Sequence, residues 1–183
     1  HHGLAHDEHV DFFGSAEERQ RWLREMCEHV GIRAPDRDGC VALAIETERY
    51  VLPRVRAAYP GAVDAVRELH ARGYTLYTAS GESSRELHGY LTGMGVRELF
   101  TGLYGPDLVR TVKESPHYYP RVFAHASVRP AEALVVDDAP HMLERAASAG
   151  AKTVQVLSTH EVCGGPWASV RSLAELPALL ANG

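Results

Sequence analysis

Ser80, Lys113, Asp137 and Asp138 are the residues whose types and spacing could do chemistry together in this chain. Leu134-Val135-Val136-Asp137-Asp138 is an apolar run that ends on two adjacent carboxylates. Two like charges side by side at a strand tip repel each other unless a cation sits there. Mg²⁺ is the usual answer, because it takes hard oxygen ligands and keeps waters and substrate phosphate in its remaining positions. Upstream, Gly73 is followed by the aromatic and β-branched run Tyr74–Ala79, which ends on Ser80 and Gly81. Lys113 lies in a polar stretch between the next two regular elements. A hydroxyl, free backbone N–H groups, a lysine and a carboxylate pair together can cradle a phosphoryl group and offset its charge. Singly, each has a plainer role: a helix-capping Asp-Asp turn, a turn serine, a solvated surface lysine.

The elements that must position these residues fall into two regions. Residues 1–58 read as helical. Ser15-Ala16-Glu17-Glu18 makes a capping box, and Trp22, Leu23, Met26 and Val30 recur at helical spacing until Gly31. Pro35 to Gly39 is a turn, and Val41, Ala44, Ile45 and Glu48 give a second helix that ends near Pro53. From Pro60 onward the pattern alternates. Helices are expected around Val63–Leu69, Leu87–Met94, Tyr119–Ala126, Leu143–Ala147 and Leu173–Leu180. Strands are expected at Tyr74–Ala79, Gly102–Tyr104, Leu134–Val136 and Thr153–Leu157. Such alternation implies an α/β fold, a parallel sheet with helices on both faces. Ligands of such sheets bind beyond the carboxyl ends of the strands. Ser80 and Asp137-Asp138 both follow strands, so both tips point to one edge, and Lys113 lies in a loop able to reach it.

In order and spacing, Ser80, Lys113 and Asp137-Asp138 resemble motifs II, III and IV of the haloacid dehalogenase-like (HAD) hydrolase superfamily, in its phosphatase type with a small helical cap. The likeness runs from about Tyr59 to the C-terminus. It is supported by Tyr59-Pro60-Gly61, by Pro116 after Lys113, by Glu144, Ala146 and Gly150 after the acidic pair, and by Ser172–Leu176. It implies a Rossmann-like core over residues 59–183 and a helical cap, or its remnant, over residues 1–58. The superfamily's motif I, an Asp-x-Asp at the tip of the first strand, has no counterpart here. Asp36-Arg37-Asp38 has the spacing, but Pro35 and Gly39 make it a turn, and Asp7-Glu8-His9-Val10-Asp11 follows no strand. The expectation is that residues preceding His1 supply that strand and its nucleophile; the other reading is a non-hydrolytic member.

The resemblance assigns roles residue by residue. Asp138 would ligate Mg²⁺ directly and Asp137 through water. Ser80 and the N–H of Gly81 would bind phosphate oxygens. Lys113 would hold both the phosphate and the nucleophilic aspartate, and the complete protein would work through an aspartyl-phosphate. Met142 and Glu114-Ser115 depart from the commoner family pattern at those positions. The substrate class implied is a small phosphorylated metabolite. A haloacid dehalogenase and a catalytically inactive binding protein are the alternatives.

Bulk properties narrow the partners. Net charge is −5 with no basic run, which argues against nucleic acid and anionic membranes. No apolar stretch is long enough to span a bilayer and no signal-peptide pattern opens the chain, so a cytoplasmic location is expected. Cys27, Cys40 and Cys163 are odd in number and widely spaced, and read as reduced thiols. His1, His2, His6 and His9 read as tag remnant and exposed segment. His117, His125, His141 and His160 have no mutual spacing that argues for ligation. Tyr118-Tyr119 reads as core packing.

Overall fold

The structure, a computed structural model, describes residues 16–157 and 165–181. The Ser15 capping box, the N-terminal histidines, His160 and Cys163 lie outside the described residues. Helices α1 (Ala16–His29) and α2 (Arg37–Val51) pack together around Leu23, Cys27 and Cys40. Asp36 caps α2 by accepting from the Gly39 amide at 2.9 Å, so Asp36-Arg37-Asp38 is a helix start and not the turn expected over Pro35–Gly39; the capping carboxylate lets the helix begin at Arg37. Both Cys27 and Cys40 are buried free thiols.

The remaining elements alternate as the sequence pattern requires. They run α3 (Ala62–Ala71), β1 (Leu76–Ala79), α4 (Ser84–Gly93), β2 (Phe100–Tyr104), α5 (Pro106–Val109), α6 (Tyr118–Ala126) and β3 (Leu134–Asp137). After these come α7 (Pro140–Ser148), β4 (Lys152–Val156), β5 (Ala168–Val170) and α8 (Leu176–Ala181). Gly73 takes φ 87° just past α3, the left-handed conformation that lets the chain turn from helix into β1. Pro120 sits in the first turn of α6, where its missing N–H costs nothing. The fold is a mixed α/β, Rossmann-like arrangement of parallel strands. Among the described residues no helix is long and apolar enough to cross a membrane.

The strands form two parallel sheets, β2-β1 and β3-β4-β5, in place of one continuous sheet. Both nonetheless lie in the same layer. Tyr77, Ala79 and Val135 pack on a cluster built from Tyr118, Tyr119, Val122, Phe123 and Ala146 on one face. Leu76, Leu134 and Val136 pack on Leu69, Val154, Val170 and Leu176 on the other. Successive strand residues point to opposite faces, so β1 and β3 divide their side chains between the same two cores. They do not pair with each other. Every residue of these two strands stays partly exposed, whereas β4 buries Val154 and Gln155. One edge of β1 and one edge of β3 thus carry no ladder partner among the described residues.

The helical pair is tied to this layer at α4. The 3₁₀ turn Leu52–Arg54 and the residues after it lie on the Gly89 and Gly93 face. A Cβ at Gly89 would come 2.4 Å from the Leu52 Cβ, and one at Gly93 would come 2.6 Å from the Val55 carbonyl oxygen. Glu48 on α2 accepts from Arg19 of α1 at 2.9 Å and from Arg85 of α4.

Candidate functional site

Ser80 continues β1 past its last ladder residue, its amide donating to the Tyr104 carbonyl at 3.0 Å. Its hydroxyl oxygen accepts from the Glu82 amide at 3.1 Å, which folds the loop back in a serine turn. The Gly81 N–H donates no hydrogen bond among the described residues, and a Cβ there would meet nothing within 4 Å. The loop seats closely on the tip of β2: a Cβ at Gly105 would fall 2.0 Å from the Glu82 carbonyl oxygen. Asp107 of α5 accepts from the Ser84 amide at 2.8 Å and from its hydroxyl at 2.5 Å.

Tyr118 fastens the two tips. Its hydroxyl donates to the Ser80 carbonyl at 2.7 Å and lies 3.2 Å from the Tyr104 carbonyl. Burial raises its pKa far above the usual phenol range, with the neighbouring Tyr119, Asp107 and Asp137 adding to the rise against the opposing bond to Ser80. The phenol therefore stays neutral and keeps its proton for donation. Tyr119 is raised likewise, chiefly by burial and then by the charge of Asp137, and its hydroxyl is buried with no hydrogen-bond partner among the described residues.

Lys113 leaves the turn before α6 and places Nζ 2.7 Å from Asp137 Oδ2, with 17% of the lysine side chain and 8% of the aspartate side chain exposed. The other oxygen, Oδ1, accepts from the Ala139 amide at 3.0 Å as α7 begins. Both oxygens of Asp137 are thus engaged. Asp138 is exposed, and no hydrogen bond or ion pair reaches its carboxylate among the described residues. Its backbone carbonyl accepts from Gln155 Nε2 at 3.3 Å.

Lys113 supplies a cation to the Asp137 half of the acidic pair and leaves the Asp138 half without one. Among the described residues, no three His, Cys, Asp or Glu side chains gather closely enough to hold a metal ion. One or two carboxylates with waters and substrate phosphate are nonetheless what Mg²⁺ commonly takes from a protein, and the unpaired Asp138 carboxylate fits that part. The structure therefore brings together Lys113 and Asp137 and sets Asp138 beside them, while Tyr118 fastens Ser80 to the tip of β2. His141, at the start of α7, is exposed, as is His117, while His125 packs edge-on against Tyr104 at 5.4 Å. Tyr118 is packed in the core as expected, but its structural role at the tips was not visible in the sequence; a hydroxyl-bearing aromatic five residues after Lys113 was the available signal.

The profile of the haloacid dehalogenase-like hydrolases matches residues 23–156. The chain belongs to this family. Its solved structural neighbours include both kinds of hydrolase. The L-2-haloacid dehalogenase from Xanthobacter autotrophicus, with chloropropionic acid covalently bound, is 20% identical. It shares 91% of this chain and 75% of its own, with a TM-score of 0.66. A predicted phosphoglycolate phosphatase from Haemophilus somnus 129pt is 17% identical over 93% of this chain and 79% of its own (TM-score 0.64). A HAD phosphatase from Thermococcus onnurineus is 18% identical over 88% and 87% respectively, also with a TM-score of 0.64. At these identities the likeness is one of fold. No curated protein matches the chain in sequence.

Proposed function

We propose that this HAD-like hydrolase is of the phosphatase type, acting in the cytoplasm on a small phosphorylated metabolite with Mg²⁺ as its cofactor. The observation that carries the reading is the division of labour in the acidic pair: Lys113 and the Ala139 amide occupy Asp137, while the Asp138 carboxylate is left open at the strand tip. Bound there, Mg²⁺ would neutralise charge on the phosphoryl oxygens. The chain's own residues do the rest. The Ser80 hydroxyl and Gly81 N–H donate to phosphate oxygens, and Lys113 adds a positive charge that also keeps a neighbouring carboxylate ionised.

The nucleophile belongs, in this reading, to a further parallel strand seated between β1 and β3. What supports it is the pair of facing edges without ladder partners and the two hydrophobic clusters shared across them. A carboxylate at the carboxyl end of such a strand would lie beside Lys113. Helices α1 and α2, held by Glu48 and by the Leu52–Val55 contact with α4, form a cap above that edge.

A second reading has its own observation. Because Lys113 neutralises Asp137, the site also suits a dehalogenase, which uses the same carboxylate chemistry on a haloacid without a metal. Protein expressed from the complete reading frame decides between them. Hydrolysis of p-nitrophenyl phosphate that needs Mg²⁺ and disappears in Asp138→Asn is the expected result. Chloride release from L-2-chloropropionate that ignores chelators would establish the dehalogenase, and neither activity would leave a binding protein. The 183-residue chain itself is expected to turn over nothing.

A further inference from the structure

Gln155 is a primary amide in the middle of the apolar strand β4, between Val154 and Val156, and is 1% exposed. It is in register with Asp137 on β3. Its two ends reach different elements. Nε2 donates to the Asp138 carbonyl at 3.3 Å, and Oε1 accepts from the Trp167 indole N–H at 3.0 Å. Trp167 lies directly before β5 and rests on Gly165, where a Cβ would come 2.3 Å from the ring. Packing alone does not account for this amide, since a leucine or methionine of similar volume would fill β4 without polar atoms to satisfy. A buried group that joins the tip of one strand to the approach of another restricts that tip.

We propose that Gln155, clamped by Trp167, is a positioning residue that fixes the Asp138 peptide and so aims the Asp138 carboxylate at the metal. The metal half of this statement rests on the Mg²⁺ reading above; the clamp does not. Outer partners that orient a ligand typically change metal affinity about 10- to 100-fold when removed. Gln155 holds the carbonyl of Asp138, and the indole of Trp167 holds Gln155. A cation on the Asp138 carboxylate therefore acts on Trp167 through one side chain, which makes the tryptophan a reporter of that site.

The test uses the 183-residue chain in a Trp22→Phe background, so that Trp167 is the remaining tryptophan. Three readouts are followed for wild type, Gln155→Leu, Trp167→Phe and Asp138→Asn: hydrogen exchange of the Asp137, Asp138 and Ala139 amides, Mg²⁺ affinity by calorimetry and, where Trp167 remains, its emission. Gln155→Leu is expected to exchange those amides roughly ten-fold faster or more, to bind Mg²⁺ about 10- to 100-fold more weakly, and to lose the emission change that Mg²⁺ causes. Trp167→Phe is expected to fall between wild type and Gln155→Leu. In an Asp138→Asn background Gln155→Leu should have no further effect on Mg²⁺, which separates aiming from general loosening. Unchanged exchange at 137–139 in Gln155→Leu overturns the clamp. Mg²⁺ binding that Asp138→Asn abolishes but Gln155→Leu leaves intact overturns the aiming. If wild type shows no saturable Mg²⁺ binding, the calorimetry is repeated on protein expressed from the complete reading frame, where its absence would overturn the metal reading; the exchange result decides the clamp in either case.

Discussion

The hydroxyl of Tyr118 and the carbonyl of Ser80 meet at 2.7 Å, 38 residues apart in sequence, and this bond sets where the β1 tip can be. Tyr118→Phe keeps the ring in its cluster but removes the O–H that donates to the Ser80 carbonyl. The expected loss is ~1–3 kcal/mol of unfolding free energy, read from urea melts, because the Ser80 oxygen loses its donor in a largely dry place. A melt identical to wild type would show that water already serves that oxygen.

The Lys113–Asp137 pair gives a sharper contrast between single and double variants. Lys113→Ala leaves a nearly buried carboxylate with only the Ala139 amide, and should cost about 3–5 kcal/mol. Lys113→Met combined with Asp137→Leu removes both charges and should recover most of that loss. Equal destabilisation in the single and the double variant would mean that packing, and not charge, holds the tip.

Gly89 carries a prediction of opposite sign to the usual rule. Alanine in place of glycine inside an exposed helix ordinarily gains up to ~1 kcal/mol. At Gly89 the new methyl would meet Leu52 at 2.4 Å, so Gly89→Ala should instead destabilise by roughly 1–3 kcal/mol. Differential scanning of this variant, with limited proteolysis between residues 50 and 60, reads the displacement of the linker. A raised melting temperature would refute the contact.

Glu82 sits in the turn that Ser80 closes, and burial, with the nearby charges of Glu86 and Glu18, raises its carboxyl above the ordinary value of 4.5. The folded state therefore holds this proton more tightly than the unfolded chain does. Stability should fall as pH rises from about 4.5 through the raised value, and stay reduced above it. Glu82→Gln should flatten that part of the stability–pH curve and raise stability at neutral pH. Urea midpoints collected between pH 4 and 8 measure it, and parallel curves for the two proteins would exclude the effect.

How much of this was legible in the chain depended on punctuation. Gly73 and Gly95 stop helices where the spacing of Val63, Val66 and Leu69, and of Leu87 and Leu91, says they should. The strands ending at Ser80 and Asp137 announce themselves as apolar runs that stop on polar residues. Their meeting with Lys113 followed from the rule that parallel strands share a carboxyl edge. Three features were not legible. β5 has three residues and α5 four, too short for any period to show. The start of α4 at the Ser83–Glu86 capping box was not marked by the apolar spacing, which begins only at Leu87. The separation of the strands into two sheets depends on what lies between β1 and β3, and no local pattern in either strand reports its neighbours. Lys113 as partner of Asp137 was half legible: charge type marked both, but only geometry shows that the lysine takes Asp137 and leaves Asp138 open.

The two half-sheets have a bearing on how the molecule is made. β1 and β2 are joined through α4 alone as a full helix, and β3 and β4 through α7, so each parallel pair closes over a short stretch of chain. Loop closure of that length is entropically cheap, and contacts of low sequence separation form early. Each half can therefore mature as its own kinetic unit while the ribosome is still extending the rest. Pulse-labelled amide exchange should find protection in Leu76–Tyr104 and Leu134–Val156 rising at independent rates; a single shared rate would show one nucleus for both.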